Sequence, residues 1–158
     1  MFTGSWDKIV RAINLKNSEV DRSFVASREA IKCLHLYDKW LFVAGIDPVI
    51  RCYDLTSGKV CCFEGHKSWV LTLTHYVTYK EDGETPELQW LISGSDDGTI
   101  RAWDIKTQAC LDELTGHKNG VLCMDFANRQ LFTGSYDHHV LVWDMATEEG
   151  KVAELQRM

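Results

Sequence analysis

The fold is decided by residues 132–144, which read FTGSYDHHVLVWD, because the same pattern occurs three more times along the chain. The other copies are FTGSWDKIVRAIN at 2–14, FVAGIDPVIRCYD at 42–54 and ISGSDDGTIRAWD at 92–104. Each copy has an Asp at its sixth position, and successive copies of this Asp are 40, 50 and 40 residues apart. Self-similarity at a period near 40 residues predicts a repeat architecture.

Each copy belongs to a unit of four short runs rich in Val, Ile, Phe, Trp, Tyr and Thr, with turn residues between the runs. In the last unit these runs cover 121–126, 130–135, 140–143 and 151–155. The alternation predicts a four-stranded antiparallel meander for each unit. One such sheet cannot bury both of its apolar faces alone, so we expect successive units to stack radially as blades.

The complete motif contains a Gly-His pair upstream of the repeat, as in Gly65-His66 and Gly116-His117. Gly-His, then Ser-Gly-Ser-x-Asp, then Trp-Asp resembles the WD40 repeat, and the resemblance covers essentially the whole chain. It implies an all-β fold of WD40 β-propeller blades in an incomplete ring. We number the blades by residue range: blade 1 (1–25, the end of a blade), blade 2 (26–64), blade 3 (65–115) and blade 4 (116–158).

The predicted ring is incomplete because WD40 rings usually have about seven blades, whereas 158 residues supply just under four. We therefore expect a fragment or short isoform of a longer protein, or half of a ring that a second copy closes. Open blades would expose strand edges and apolar faces.

Blade 3 departs from the repeat length, since His66 precedes its Asp by 31 residues and His117 precedes its Asp by 20. The excess falls within 76–90, where 80–87 reads KEDGETPE, with four acidic residues and one basic. A sheet interior would not accept this composition, so we expect an acidic, solvated loop between the first two strands of the blade. The alternative is a loop that docks a partner.

The resemblance implies a structural tetrad in each of blades 3 and 4, in which Asp, His, a strand Ser or Thr, and Trp are joined by hydrogen bonds. The expected members are His66, Ser93, Asp97 and Trp103 in blade 3, and His117, Thr133, Asp137 and Trp143 in blade 4. The sequence leaves open whether Ser95 and Ser135 replace Ser93 and Thr133, because both members of each pair point to one strand face.

A Ser-His-Asp set also suggests nucleophilic catalysis, but an active site needs one nucleophile, and this set recurs in successive blades. We therefore expect no enzymatic activity. Blade 2 has Ser27, Val43 and Tyr53 at the equivalent positions and lacks the network. We therefore expect blade 2 to be less rigid than blades 3 and 4.

Composition argues against several other classes of protein. The formal charge of −6 argues against a nucleic-acid-binding surface, and no apolar run approaches the roughly 20 residues that span a bilayer. The six cysteines lie mostly in strand-like segments and are expected as free thiols. Cys61-Cys62 lacks the spacing of a metal site. His138-His139 could bind a metal weakly, but no third ligand is near in sequence, so we expect a solvent-facing turn. We expect no metal and no cofactor, in an intracellular protein, cytoplasmic or nuclear.

With no catalytic motif, the function is expected to reside on a surface. In WD40 propellers the usual contact face is formed by the loops before the first strand and after the second. By position, the candidate partner-binding residues on this face are Trp6, Ile46, Trp69, Asp96 and Tyr136. Trp and Tyr are frequent interface hot spots. The alternative is that each aromatic ring stacks on a neighbouring loop of its own propeller.

The expected function is a non-catalytic scaffold that binds a protein or peptide, and one version is the substrate-recognition part of a ubiquitin ligase complex. The alternative is an RNA- or nucleic-acid-binding propeller of a larger protein. Exposed aromatics and the regularly placed Arg11, Arg51 and Arg101 would support that alternative, although the net charge opposes it.

Overall fold

The structure is a computed structural model that describes residues 1–145 and the backbone of 153–157. In that part every regular element is a β-strand. The strands are β1 (Phe2–Gly4), β2 (Ile9–Ile13), β3 (Val20–Val25), β4 (Ile31–Tyr37), β5 (Trp40–Gly45), β6 (Ile50–Asp54), β7 (Val60–Phe63), β8 (Val70–Tyr79), β9 (Pro86–Ser95), β10 (Thr99–Asp104), β11 (Cys110–Thr115), β12 (Val121–Ala127), β13 (Gln130–Ser135), β14 (Val140–Asp144) and β15 (Ala153–Arg157).

These strands form four antiparallel sheets, each paired in chain order as a meander. Blade 1 contains β1 to β3, blade 2 β4 to β7, blade 3 β8 to β11 and blade 4 β12 to β15. The expected all-β fold of propeller blades is confirmed. The run expected at 151–155 in blade 4 starts outside the described residues, and β15 is described from Ala153.

The apolar core lies between the blades, because alternate residues of each strand point to opposite faces of its sheet. In β5, Leu41 and Val43 pack toward blade 1, whereas Phe42 and Ala44 pack toward blade 3. A third cluster joins blade 3 to blade 4 through Ile92, Leu131 and their neighbours. Burial on both faces explains why β5 is an almost unbroken apolar run.

The three clusters pack the blades in the order 1, 2, 3, 4. In the described part of the chain, no such cluster joins blade 4 to blade 1, so these sheets form an arc rather than a closed ring. No helix long and apolar enough to cross a membrane occurs among the described residues.

The acidic segment of blade 3 corrects one expectation. The loop expected over 76–90 is mostly strand, since β8 continues to Tyr79 and β9 begins at Pro86. Only 80–85 form the turn, where the Asp82 carboxylate accepts hydrogen bonds from the Glu84 and Thr85 amides. The extra residues lengthen a hairpin because Val77 pairs with Gln89 and Thr78 with Leu88, in register.

Two kinds of connection meet at one end of the blades. The first are the loops before the inner strands, which are the first strands of blades 2, 3 and 4 (β4, β8 and β12). The second are the turns between the second and third strands of these blades, with the equivalent β1–β2 turn of blade 1. Backbone hydrogen bonds join them: the amides of Ile46, Asp96 and Tyr136 donate to the carbonyls of Ala30, Trp69 and Gly120. We call this end the loop face; it comprises residues 5–8, 26–32, 46–49, 64–69, 96–98, 116–120 and 136–139. The long acidic hairpin of blade 3 lies at the opposite end of its strands.

Candidate interaction face

The loop face of blade 3 is anchored by a buried network of four side chains. The Trp103 indole donates to Ser93 Oγ at 2.8 Å, and the Ser93 hydroxyl lies 2.7 Å from His66 Nε2. His66 Nδ1 lies 3.2 Å from the Asp97 carboxylate. Because Asp97 requires a donor, Nδ1 carries the imidazole proton and Nε2 accepts from Ser93. The network links the inner-strand loop, β9, β10 and the turn between them.

Blade 4 repeats this geometry with Thr in place of Ser. Trp143 Nε1 donates to Thr133 Oγ1 at 2.9 Å, and that hydroxyl lies 2.8 Å from His117 Nε2. His117 Nδ1 lies 3.0 Å from the Asp137 carboxylate. The repetition shows that one local sequence pattern builds one local geometry twice.

The other pair of strand hydroxyls, which the sequence could not distinguish, has a separate role. Ser95 Oγ donates to the Ser68 carbonyl and accepts from the Asp97 amide. Ser135 Oγ makes the same two bonds, to the Asn119 carbonyl and from the Asp137 amide. The residues that meet the histidines are Ser93 and Thr133.

Burial and hydrogen bonding set the charges of the network. Burial lowers the pKa of His66, against the opposing influence of Asp97, so the ring favours its neutral form. Burial would raise the pKa of Asp97, but hydrogen bonds from Thr99 and the Lys67 amide lower it to about 2. The pKa of Asp137 is lowered in the same way, with the Lys118 amide and His117 as donors. Both carboxylates are ionised near neutral pH.

The geometry gives Ser93 no nucleophilic role. Its side chain is fully buried, and its hydroxyl is already engaged by the indole and the imidazole. A nucleophile must reach the substrate, whereas no substrate atom can approach this oxygen. The arrangement instead satisfies buried polar groups that would otherwise destabilise the blade.

Blade 2 is tied together differently. The Tyr53 hydroxyl donates to the Ala26 carbonyl at 2.9 Å, so it meets backbone where the indoles of blades 3 and 4 meet a hydroxyl. The Asp47 carboxylate binds Arg51 at 2.7 Å and the Val49 amide at 3.1 Å, both within its own hairpin. No side-chain bond from Asp47 to the 26–30 loop occurs among the described residues.

Three aromatic side chains are exposed on the loop face: Trp6, Tyr136 and Trp69 have 69%, 55% and 43% of their surface accessible. The structure brings two of them to one cation, since Lys32 Nζ lies 4.6 Å from the centroid of the Trp6 ring and 5.6 Å from that of Trp69. Both distances are in the range of cation–π attraction. Residues from blades 1, 2 and 3 thus form one cluster.

Sequence reasoning did not single out Lys32. It is the extra residue of a β-bulge at the start of β4, where the pairing register shifts between Ile31 and Cys33. Leu71 and Leu122 occupy the equivalent bulges of β8 and β12. A bulge redirects its side chain, and alignment of the three bulges would have revealed the one that carries a charge.

The remaining two candidates differ in exposure. Asp96 is exposed, and its carboxylate accepts from Ser68 Oγ at 3.3 Å. Ile46 is half-buried, which leaves less of it to contact a partner than the three aromatic residues offer.

The three regularly placed arginines are engaged in ion pairs. Arg11 binds Asp7 at 2.6 Å, Arg51 binds Asp47, and Arg101 binds Glu113. Each guanidinium is therefore partly neutralised by a carboxylate of its own blade, which weakens the case that these residues contact phosphates.

In the described part of the chain, no three His, Cys, Asp or Glu side chains are grouped so as to hold a metal ion. All six cysteines are free thiols. Burial raises the pKa of Cys33 to about 12, so this thiol stays protonated and is a poor nucleophile.

Comparison of the sequence with known protein families identifies the family to which this chain belongs. Residues 57–104 and 108–144 match the model of the WD domain, G-beta repeat, and together cover more than half of the chain. The protein therefore belongs to the WD40 family, whose members are generally non-catalytic scaffolds.

Several curated proteins are similar to this chain. An uncharacterised WD repeat-containing protein of Schizosaccharomyces pombe is 30% identical over 71% of the chain and 30% of its own length. The U3 small nucleolar RNA-associated protein 15 homolog of Xenopus tropicalis is 34% identical over 71% of the chain and 21% of its own length. The ribosome biogenesis protein WDR12 homolog of Oryza sativa is 27% identical over 80% of the chain and 28% of its own length. The chain spans less than a third of the length of these relatives.

Proposed function

We propose that this chain is the partner-binding part of a non-catalytic scaffold and captures a protein or peptide on its loop face. The observation that carries the proposal is the exposure of Trp6, Trp69 and Tyr136 on a face whose loops are held by buried networks. Large aromatic groups on a rigid surface supply contact area with little loss of conformational freedom on binding.

Selection from a random peptide display library tests this proposal. The intact chain is compared with a triple variant, Trp6→Ala, Trp69→Ala and Tyr136→Ala. A matched control replaces Leu15, Leu55 and Tyr79, three exposed side chains away from the loop face, with Ala. Circular dichroism verifies that all three proteins keep their β-structure.

Peptides enriched by the intact chain and the control, and lost with the triple aromatic variant, are the expected result. Enrichment of the same peptides by all three proteins would contradict binding at the loop face.

The substrate-recognition part of a ubiquitin ligase complex is one setting for such a scaffold. The sequences of the short turns at 36–40 and 127–130, together with Leu-Phe-Thr-Gly-Ser at 131–135, support this setting because they resemble propellers attached to F-box, RING or zinc-finger segments. Ubiquitin conjugation to a captured partner, lost with the triple aromatic variant, is the expected result in a reconstituted reaction. Unchanged conjugation would contradict it.

A second candidate is RNA or other nucleic-acid binding by a larger propeller. The printed names of two relatives favour it, since one is U3 small nucleolar RNA-associated and the other is a ribosome biogenesis protein. The same names support a nuclear location, which imaging of a fluorescent fusion would test. Affinity for single-stranded RNA that falls steeply with salt would favour this candidate over peptide capture.

The proposal includes further blades, from a longer chain or a second copy, against the open faces of blades 1 and 4. A cavity of about 420 Å³ lined by Cys123, Phe132 and Val140 marks the uncovered apolar face of blade 4. Light scattering of the purified chain distinguishes the sources. A dimer would support closure by a second copy, and a folded monomer would contradict it.

A further inference from the structure

Exposed charge is distributed unevenly over the described residues. On the loop face, four exposed cationic side chains have no carboxylate within ion-pair distance: Arg28, Lys32, Lys67 and Lys118. Two exposed acidic groups on that face, Glu64 and Asp96, are also without an ion pair. Three other carboxylates there, those of Asp7, Glu29 and Asp47, pair with Arg11, Lys8 and Arg51. The Asp97 and Asp137 carboxylates contact histidine rings and backbone amides and keep their negative charge. Among exposed side chains of this face that lack an ion pair, cations therefore outnumber carboxylates by four to two.

The repeat itself arranges three of these cations. Lys67 and Lys118 directly follow the tetrad histidines, and Arg28 follows Ser27, which occupies the same place in blade 2. The backbone amides of Lys67 and Lys118 donate to Asp97 and Asp137 at 2.8 Å, which fixes the backbone position from which each lysine side chain extends. Three successive blades thus present one basic residue each at equivalent positions.

Lys32 adds a fourth cation with an aromatic surface on each side. Its ammonium lies over the exposed rings of Trp6 and Trp69, so it is positioned without being neutralised. The aromatic contacts restrict a side chain that would otherwise lose considerable rotamer entropy on binding. A positioned ammonium beside exposed indoles suits a carboxylate that is flanked by apolar groups.

The acidic turn of blade 3 lies at the other end of the strands from these four cations. Glu81, Asp82 and Glu84 are exposed at the opposite end of the strands. Screening limits surface charges to a range of about 8 Å at physiological ionic strength, so each end of the blade attracts ions independently.

We infer that the loop face recognises an acidic peptide, with Lys32 between Trp6 and Trp69 binding a carboxylate and Arg28, Lys67 and Lys118 binding further carboxylates. The inference rests on the proposed function and names the partner's chemistry. Complementary charge across the rim of an interface mainly raises the association rate and selects the partner.

Fluorescence anisotropy with defined probes tests the inference. The first probe is a short labelled peptide of Glu, Leu and Gly, the second has Gln in place of every Glu, and the third is labelled oligouridine. The intact chain is compared with Lys32→Gln and with Lys16→Gln, a matched loss of an exposed lysine away from the loop face.

The Glu peptide is expected to bind at least about tenfold more tightly than the Gln peptide, because charge-assisted hydrogen bonds are the stronger kind. Lys32→Gln is expected to weaken Glu-peptide binding about tenfold, and Lys16→Gln to change it less than about twofold.

Three results would overturn the inference. Equal binding of the Glu and Gln peptides, lost in the triple aromatic variant, would refute acidic recognition and leave the proposed function standing. Tighter, Lys32-dependent binding of oligouridine would assign the cations to nucleic acid. Failure of the Glu peptide to bind the intact folded chain would refute it outright, and loss of library selection would be needed to refute the proposed function.

Discussion

Blades 2 and 3 are neighbours with the same strand order, and they differ in how the loop before the inner strand is held. In blade 3, Asp97 reaches from its turn to His66 and to the Lys67 amide, 31 and 30 residues away in the chain. In blade 2, the partners of Asp47 among the described residues are Arg51 and Val49, both within its own hairpin. The loop of blade 2 is connected to that turn through the backbone bond from Ile46 to Ala30.

The difference shows that the meander and the network are separable. Both blades bury alternate faces of their strands, and blade 2 forms its sheet without the tetrad. The network adds a connection between loop and turn that packing does not provide. We therefore expect the tetrads to rigidify the loop face more than they determine the fold.

The largest effect is expected from His66→Ala in blade 3. The substitution removes one buried partner from Asp97 and one from Ser93, and it removes a ring that packs edge-on against Trp103. We expect the free energy of unfolding to fall by about 3 kcal/mol.

The matched change in blade 2, Ser27→Ala, removes the one hydrogen bond that Ser27 Oγ accepts from the Glu29 amide and should cost about 1 kcal/mol or less. Urea denaturation of both variants measures the contrast. Equal losses would show that the network contributes nothing specific to blade 3.

A second prediction concerns transfer of the network into blade 2. Val43 is buried between blades 1 and 2, so Val43→Ser alone should cost about 1–3 kcal/mol. Adding Ser27→His and Tyr53→Trp beside the native Asp47 supplies the missing partners, and we expect the triple variant to recover about 1 kcal/mol or more of that loss. A triple variant less stable than Val43→Ser would refute the idea that four residues suffice.

A smaller effect is expected from acid at the contact between blades 2 and 3. His35 Nε2 lies 2.8 Å from His75 Nδ1, and the Tyr37 ring stacks on the His75 ring with 4.4 Å between their centroids. Burial, with His75 as a second cause, lowers the pKa of His35 from 6.5 to about 4. The unfolded chain therefore takes up this proton at a higher pH than the folded chain does.

The stabilisation from neutral His35 is complete above pH 6.5 and should be lost as pH falls from 6.5 to 4. We expect the thermal midpoint of His35→Gln to vary less with pH across this window than that of the unchanged chain. Parallel pH profiles for the two proteins would contradict the assignment.

Repetition made much of the fold predictable, because four copies of one pattern indicate four sheets even where single residues differ. The strand hydroxyl of the tetrad was not predictable from side-chain direction, since Ser93 and Ser95 point to one face; only three-dimensional distances select Ser93. The extent of the acidic segment was also mispredicted. Composition identified a polar segment but could not reveal that Val77 and Gln89 extend the pairing.

Lys32 was missed for a different reason. In a regular strand, alternation fixes the sheet face to which each side chain points, but the bulge at Lys32 changes the direction of its side chain. The contacts of Lys32 with Trp6 and Trp69 also join three blades. Contacts between distant loops depend on how blades stack, which no local pattern encodes.

The most direct test of the account is native-state hydrogen exchange at three equivalent amides, those of Arg28, Lys67 and Lys118. The Lys67 and Lys118 amides donate to tetrad carboxylates, and no acceptor for the Arg28 amide occurs among the described residues. We predict protection factors at least about tenfold higher for Lys67 and Lys118 than for Arg28. Equal protection at the three positions would show that the tetrads do not hold the loop face.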